Sequence, residues 1–223
     1  MNLYRMGRNS VVQFVDALGL YDNILEAAAA GSREAGIKSE NFRKRFKANF
    51  DLNLMNDWER EWGGLVCHLC GEYKPTPARP GPIVGPSKKP KPGGQKRQLY
   101  DAKGNDVDPS PGMAPDGAQV DMHSPYEDDD SKDIKDVSCF LEFGIGWEEV
   151  GNFHSHPGDD PPSPADKNYH KYNEERMPGY RSFLTKPKIE PKNPNKSTIE
   201  VFEYDDTDIV GSVANPLPHV YQK

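Results

Sequence analysis

The stretch from Trp147 to Asp166 constrains this chain most, because a strand must end and a helix begin with six residues, 157–162, between them. Trp147, Val150 and Phe153 predict a short buried strand. Alternate side chains on a strand share a face, so His154 and His156 project together, their Cα atoms roughly 6–7 Å apart. Pro157 ends the strand, since proline cannot donate to the ladder. After the turn Gly158-Asp-Asp-Pro-Pro, Ser163-Pro-Ala-Asp166 opens a helix, with Ser as N-cap, Pro in the first position and Asp in the third. That start carries Asp166 back toward the two histidines. Two neutral imidazoles and a carboxylate are a ligand set for one Zn²⁺, whose nitrogen ligands lie at about 2.0–2.1 Å. Three protein ligands and an open position characterise a catalytic rather than a structural zinc. Taken singly, a His-x-His pair is more often a surface or core pair, and Ser-x-x-Asp only a cap. Their order along the chain carries the reading.

A second informative segment is Asp57-Trp-Glu-Arg-Glu-Trp-Gly-Gly-Leu-Val-Cys-His-Leu-Cys70. Gly63-Gly64 predicts a break, followed by a short buried strand over 65–70. A carboxylate directly before such a pair, Glu61, suits a general base beside a metal-activated water. Glu59 is its nearest competitor, with Glu142, Glu148 and Glu149 further off. The plainer alternative is that Glu61 is a solvated charge. Cys67 and Cys70 are expected to fill core rather than hold metal, because on a strand they would point to opposite sides. Three cysteines make no disulfide framework, so a reducing compartment is the expectation.

In combination these segments resemble the JAMM (JAB/MPN) metallopeptidases, whose pattern is an upstream Glu, then His-Ser/Thr-His-Pro, then Ser-x-x-Asp. The Glu61-Trp62-Gly63-Gly64 segment is similar to the Glu-aromatic-Gly-Gly of JAB-type domains that end bacterial polymorphic toxins. The turn before Ser163 is one residue shorter than is usual in that family. The resemblance covers about residues 57–204. It implies an α/β fold, with a mixed central sheet and flanking helices in a cytidine-deaminase-like layout. It implies zinc on His154, His156 and Asp166, Glu61 as general base, and the Ser163 hydroxyl stabilising an oxyanion. The reaction implied is hydrolysis of a peptide or isopeptide bond in a protein substrate. A toxin or secreted-effector role follows by the same analogy, with an immunity protein or secretion carrier as partner and a bacterial cytoplasm as the place before export. Two rivals stand beside it: a non-catalytic interaction module of the same fold, and a nuclease toxin using the same His-Asp cluster.

Elsewhere the chain is plainer. A net charge of −7 argues against a nucleic-acid backbone as partner. Hydrophobic residues make up 35%, and 21 prolines and 20 glycines cluster, so a core cannot use the whole length. The expected organisation is a helical segment over 1–56 and one domain over 57–223, with a Pro/Gly-rich insertion at about 72–135. Helices are predicted around Val11 to Leu18, Tyr21 to Gly31 and Ser39 to Phe50, the last carrying Phe42, Phe46 and Phe50 on one face. Within the insertion Gln98-Leu-Tyr100 and Val107 read as strand fragments. Val137 to Phe143 reads as a strand, Lys167 to Arg176 as a polar helix, and Ser182 to Thr185 and Thr198 to Tyr204 as closing strands. No apolar run approaches a membrane span, and the first residues lack the h-region of a signal peptide, so a soluble chain is expected.

Overall fold

The computed structural model describes residues 21–49, 59–86, 97–101, 105–106, 138–156, 160–188 and 198–213. The helix expected around Val11 to Leu18, the Val107 strand fragment and Phe50 lie outside these residues, as does the side chain of Phe46. The fold is α/β. Among the described residues, eight strands form one mixed sheet and three helices pack on it.

The strands are β1 (Glu59–Leu69), β2 (Glu72–Pro75), β3 (Arg79–Pro86), β4 (Arg97–Tyr100), β5 (Glu148–Ser155), β6 (Arg181–Lys188), β7 (Thr198–Tyr204) and β8 (Ile209–Ser212). Their order is β4-β3-β1-β5-β6-β7-β8, with β2 paired to the C-terminal part of β1. Every pairing is antiparallel except β5 with β6. A parallel pair needs a crossover, and α3 (Pro164–Arg176) supplies it. The helix therefore starts just past the end of β5, where His154 and His156 lie.

β1 runs unbroken through Gly63 and Gly64, where the sequence predicts a break. Gly64 is needed for packing: a Cβ there would stand 2.6 Å from Phe153 Cζ and 2.6 Å from Thr76 Oγ1. Thr76 bridges the gap between β2 and β3 along this edge. Its Oγ1 accepts from Leu65 N at 2.9 Å and its own N–H donates to Leu65 O.

One face of the sheet is covered by α1 (Ile24–Asn49). The two helices expected over 21–31 and 39–50 are a single 26-residue helix. Gly31 does not stop it, because the missing side chain is where the helix meets the sheet. A Cβ at Gly31 would fall on the Phe153 ring, and one at Gly36 would lie 2.9 Å from Thr185 Cγ2. Ala27, Ala28 and Ala35 complete this close approach, over Trp62, Val66, Phe153, Phe183, Ile199 and Val201.

The opposite face carries α2 (Cys139–Phe143) and α3. The expected strand over 137–143 is a short helix instead. Ser138 Oγ caps it by accepting from Leu141 N at 3.1 Å, and Arg79 pairs with Glu142 at 2.9 Å. Cys67 is buried as expected, but it is bonded to Cys139, correcting the expectation of free thiols. The two Cα atoms are 5.6 Å apart, a separation that only the tertiary fold sets across 72 residues of sequence. Cys70 is exposed, in a turn with φ of 51°.

The described residues of the Pro/Gly-rich stretch form part of the sheet. Residues 72–100 contribute three strands, with Pro80, Gly81, Pro82, Ile83 and Val84 of β3 all buried. Ile83 and Val84 pair with β1 on one side and β4 on the other, Pro80 lies opposite Trp62 of β1, and Gly81 O accepts from Arg60 Nε at 2.8 Å. The closing strands β6 and β7 lie where the sequence places them, and β8, a short strand with alternating burial, was not anticipated. No helix among the described residues is long and apolar enough to cross a membrane.

Candidate metal centre

His154 and His156 sit at the carboxyl end of β5, between antiparallel β1 and parallel β6. Their alternation puts both rings on the face opposite Phe153. Each is nearly sealed, at 5% and 6% exposure. The Nε2 atoms stand 3.1 Å apart. His156 Nδ1 lies 3.1 Å from the carbonyl oxygen of Asp160. A carbonyl can only accept, so this nitrogen is the donor and the neutral ring keeps the Nε2 lone pair free for a metal.

Asp166 reaches the pair from α3. It forms a capping box with Ser163: Ser163 N donates to Asp166 Oδ2 at 2.6 Å, and Ser163 Oγ accepts from Asp166 N at 3.2 Å. The shortened turn thus still delivers the carboxylate. Oδ1 is 3.4 Å from His154 Nε2, and Oδ2 is 3.4 Å from His156 Nε2. Burial opposes ionisation of Asp166, but the two histidines together outweigh it and hold the carboxyl well below the usual range. Ligand atoms of the three residues all lie within 4.8 Å of one another. A tetrahedral ion with bonds of 2.0–2.1 Å holds its ligands about 3.3 Å apart. The observed separations fit that geometry, and the donor set suits a divalent transition metal.

Glu61 comes from β1. Gly63 pairs with His154, and the same register carried two residues on sets Glu61 across from His156. Its Oε1 is 3.8 Å from His156 Nε2. The side chain is 7% exposed, not a solvated charge. Burial pushes its carboxyl well above the ordinary range, His156 opposes the shift, and Asp166, Glu59 and Asp160 add to it.

The competing glutamates are engaged elsewhere or farther off. Glu142 pairs with Arg79, Glu149 accepts from Tyr180 Oη at 2.7 Å, and Glu148 lies at the far end of β5, at the register position opposite His68. Glu59 lies at the start of β1, opposite Val84. Ser163 is the helix cap, and since its oxygen accepts there, its O–H remains able to donate.

No protein-family model matches this chain, and no curated protein matches it significantly.

Two neighbours escaped the sequence reading. Ser155, fully buried, accepts from Trp62 N at 3.0 Å, next to the register shift that β1 makes between Arg60 and Trp62. It ties the backbone beside Glu61 to the strand of the histidines. His170 is buried on α3. Its spacing of four from Asp166, which puts both on one helix face, was the available signal.

Proposed function

We propose that this chain is a zinc-dependent peptidase or isopeptidase of the JAMM type, with the JAB/MPN arrangement of sheet and helices. The observation that carries the proposal is the convergence of His154, His156 and Asp166 with one further buried carboxylate, Glu61, 3.8 Å from His156. Three ligands from two elements, and a base from a third, match the division of labour that metal-assisted amide hydrolysis requires. His154, His156 and Asp166 would hold the ion. A bound zinc would supply the Lewis acidity that makes water nucleophilic near neutral pH and polarises a carbonyl.

The chain's own residues do the rest. Glu61, a carboxylate whose burial raises its affinity for a proton, takes one from water at a carboxylate oxygen and returns it to the leaving amine. The Ser163 O–H donates to the oxygen that gains negative charge. The carbonyl of Asp160 keeps His156 in the tautomer that presents Nε2. The Glu61-Trp62-Gly63-Gly64 segment further favours a bacterial toxin or secreted-effector role, acting on a protein substrate and held in check by an immunity partner.

The test is hydrolysis of peptide and isopeptide-linked protein substrates by the purified chain. Activity is expected to be lost to a chelator, restored by zinc, and absent in His154→Ala/His156→Ala. A chain that binds one zinc yet cleaves nothing would instead be an interaction module. Metal-dependent nicking of DNA would transfer the site to the nuclease reading.

A further inference from the structure

The helix that carries Asp166 brings little apolar surface to the sheet. The residues that α3 buries are His170 and Asn173, both polar. Ala165 and Tyr169 are only half-buried, so hydrophobic burial, which is non-directional, sets its rotation only loosely. The capping box fixes Asp166 relative to Ser163, but neither of them relative to β5. Lys167 Nζ donates to Thr207 O at 2.6 Å, from a half-buried side chain to the turn between β7 and β8 rather than to β5 or β6. Of the residues that α3 buries, His170 is the one that bonds across to the sheet. Its ring is 8% exposed, and Nδ1 stands 3.0 Å from Oγ of Ser182, a fully buried residue of β6. The ring is also 6.2 Å from Tyr204, which in turn meets His154 edge-on at 5.9 Å. One tyrosine ring thus stands against both the ligand histidine and the α3 histidine.

We infer that His170, through Ser182 and against Tyr204, is the positioning residue that sets the rotation of α3 and so aims Asp166 at His154 and His156. The inference rests on the metal reading of the site. Its physical basis is lever arm against tolerance. Turning a helix by about 20° swings a side-chain tip lying about 6 Å from its axis by about 2 Å. Metal–ligand distances tolerate only about 0.2 Å. A directional hydrogen bond one turn beyond Asp166, on the same face, removes that freedom.

Co²⁺ titration tests this without any assay of activity, reading affinity together with the visible ligand-field spectrum. His170→Ala should weaken Co²⁺ binding by about 10–100-fold, the scale for losing an outer support of a ligand. It should also shift the spectrum to that of Asp166→Ala, a signature that simple loss of stability does not produce. His170→Asn, whose amide can replace Nδ1 toward Ser182, should recover most of the affinity and the wild-type spectrum. Wild-type affinity and spectrum in His170→Ala would overturn the inference while leaving the metal site standing. If His170→Ala fails to fold, Ser182→Ala removes one oxygen and carries the same expectation, with an unchanged spectrum again overturning it. A wild-type chain that binds no Co²⁺ would overturn the metal reading and this inference together.

Discussion

Glu61 and His156 face each other across the β1–β5 pair, Oε1 3.8 Å from Nε2, both side chains almost sealed from solvent. Neither residue is near the other in sequence, and the contact exists because the antiparallel register sets Gly63 beside His154.

From that relationship Glu61→Gln is expected to keep the fold and the bound metal while lowering hydrolysis by about 10²-fold or more, the scale of a lost general base. Glu59→Gln, which leaves the Glu61–His156 contact intact, should do much less. Metal analysis alongside kcat decides it. Full activity in Glu61→Gln with a dead Glu59→Gln or Glu142→Gln would mean another carboxylate is the base.

Alanine at an interior helical glycine normally adds up to about 1 kcal/mol of stability. Gly31→Ala should do the reverse, because its Cβ would fall on the buried Phe153 ring. The expected loss is about 1–3 kcal/mol, the cost of overpacking a core. Gly211→Ala, whose Cβ meets nothing within 4 Å, should stay within about 0.5 kcal/mol of wild type. Urea denaturation of the two variants makes the comparison.

The Cys67–Cys139 bond spans a sequence separation of 72. On the chain-entropy argument a loop of that length is worth about 4 kcal/mol. Cys67→Ala/Cys139→Ala should therefore lower the melting temperature markedly while zinc stoichiometry is unchanged, since neither sulfur belongs to the metal cluster. Loss of a zinc equivalent would show a role for these cysteines that the fold does not assign.

Tyr180 is buried and donates to Glu149 at 2.7 Å. Burial, then the nearby Tyr169 and Glu149, push its phenol well above its ordinary range. The folded state favours the neutral phenol, so its contribution is whole below about pH 10, the unfolded value, and is lost as pH rises through the higher folded value. Tyr180→Phe should be somewhat less stable at pH 8, by about 1 kcal/mol for the lost hydrogen bond, yet fall off less steeply above pH 10. Denaturation midpoints across pH 8–11 show whether the two curves converge.

Local rules found the cluster of His154, His156 and Asp166 that could hold a metal. His154 and His156 share a face because strand side chains alternate, and Asp166 returns to them because Ser163 caps a helix that begins immediately after the turn. They found β7 and most of β6 for the same reason, since β-branched and aromatic alternation is a property of neighbours in sequence. They failed where a residue's role depends on a distant surface. Gly31 reads as the end of a helical segment and Gly63-Gly64 as a break, although the bare backbones of Gly31 and Gly64 let α1 and Thr76 close on Phe153. Phe140 and Leu141 read as strand, although a Ser138 cap and the bond to Cys67 make that segment a helix.

The sequence by itself determined the grouping of His154, His156 and Asp166 and the polar character of the helix that delivers one of them. Only the tertiary structure decided between Glu61 and its competing glutamates, joined Cys67 to Cys139, and buried Pro80 and Pro82 of β3. Each of these is a pairing between segments separated in sequence, and register and sheet order, which no local periodicity encodes, select the partner.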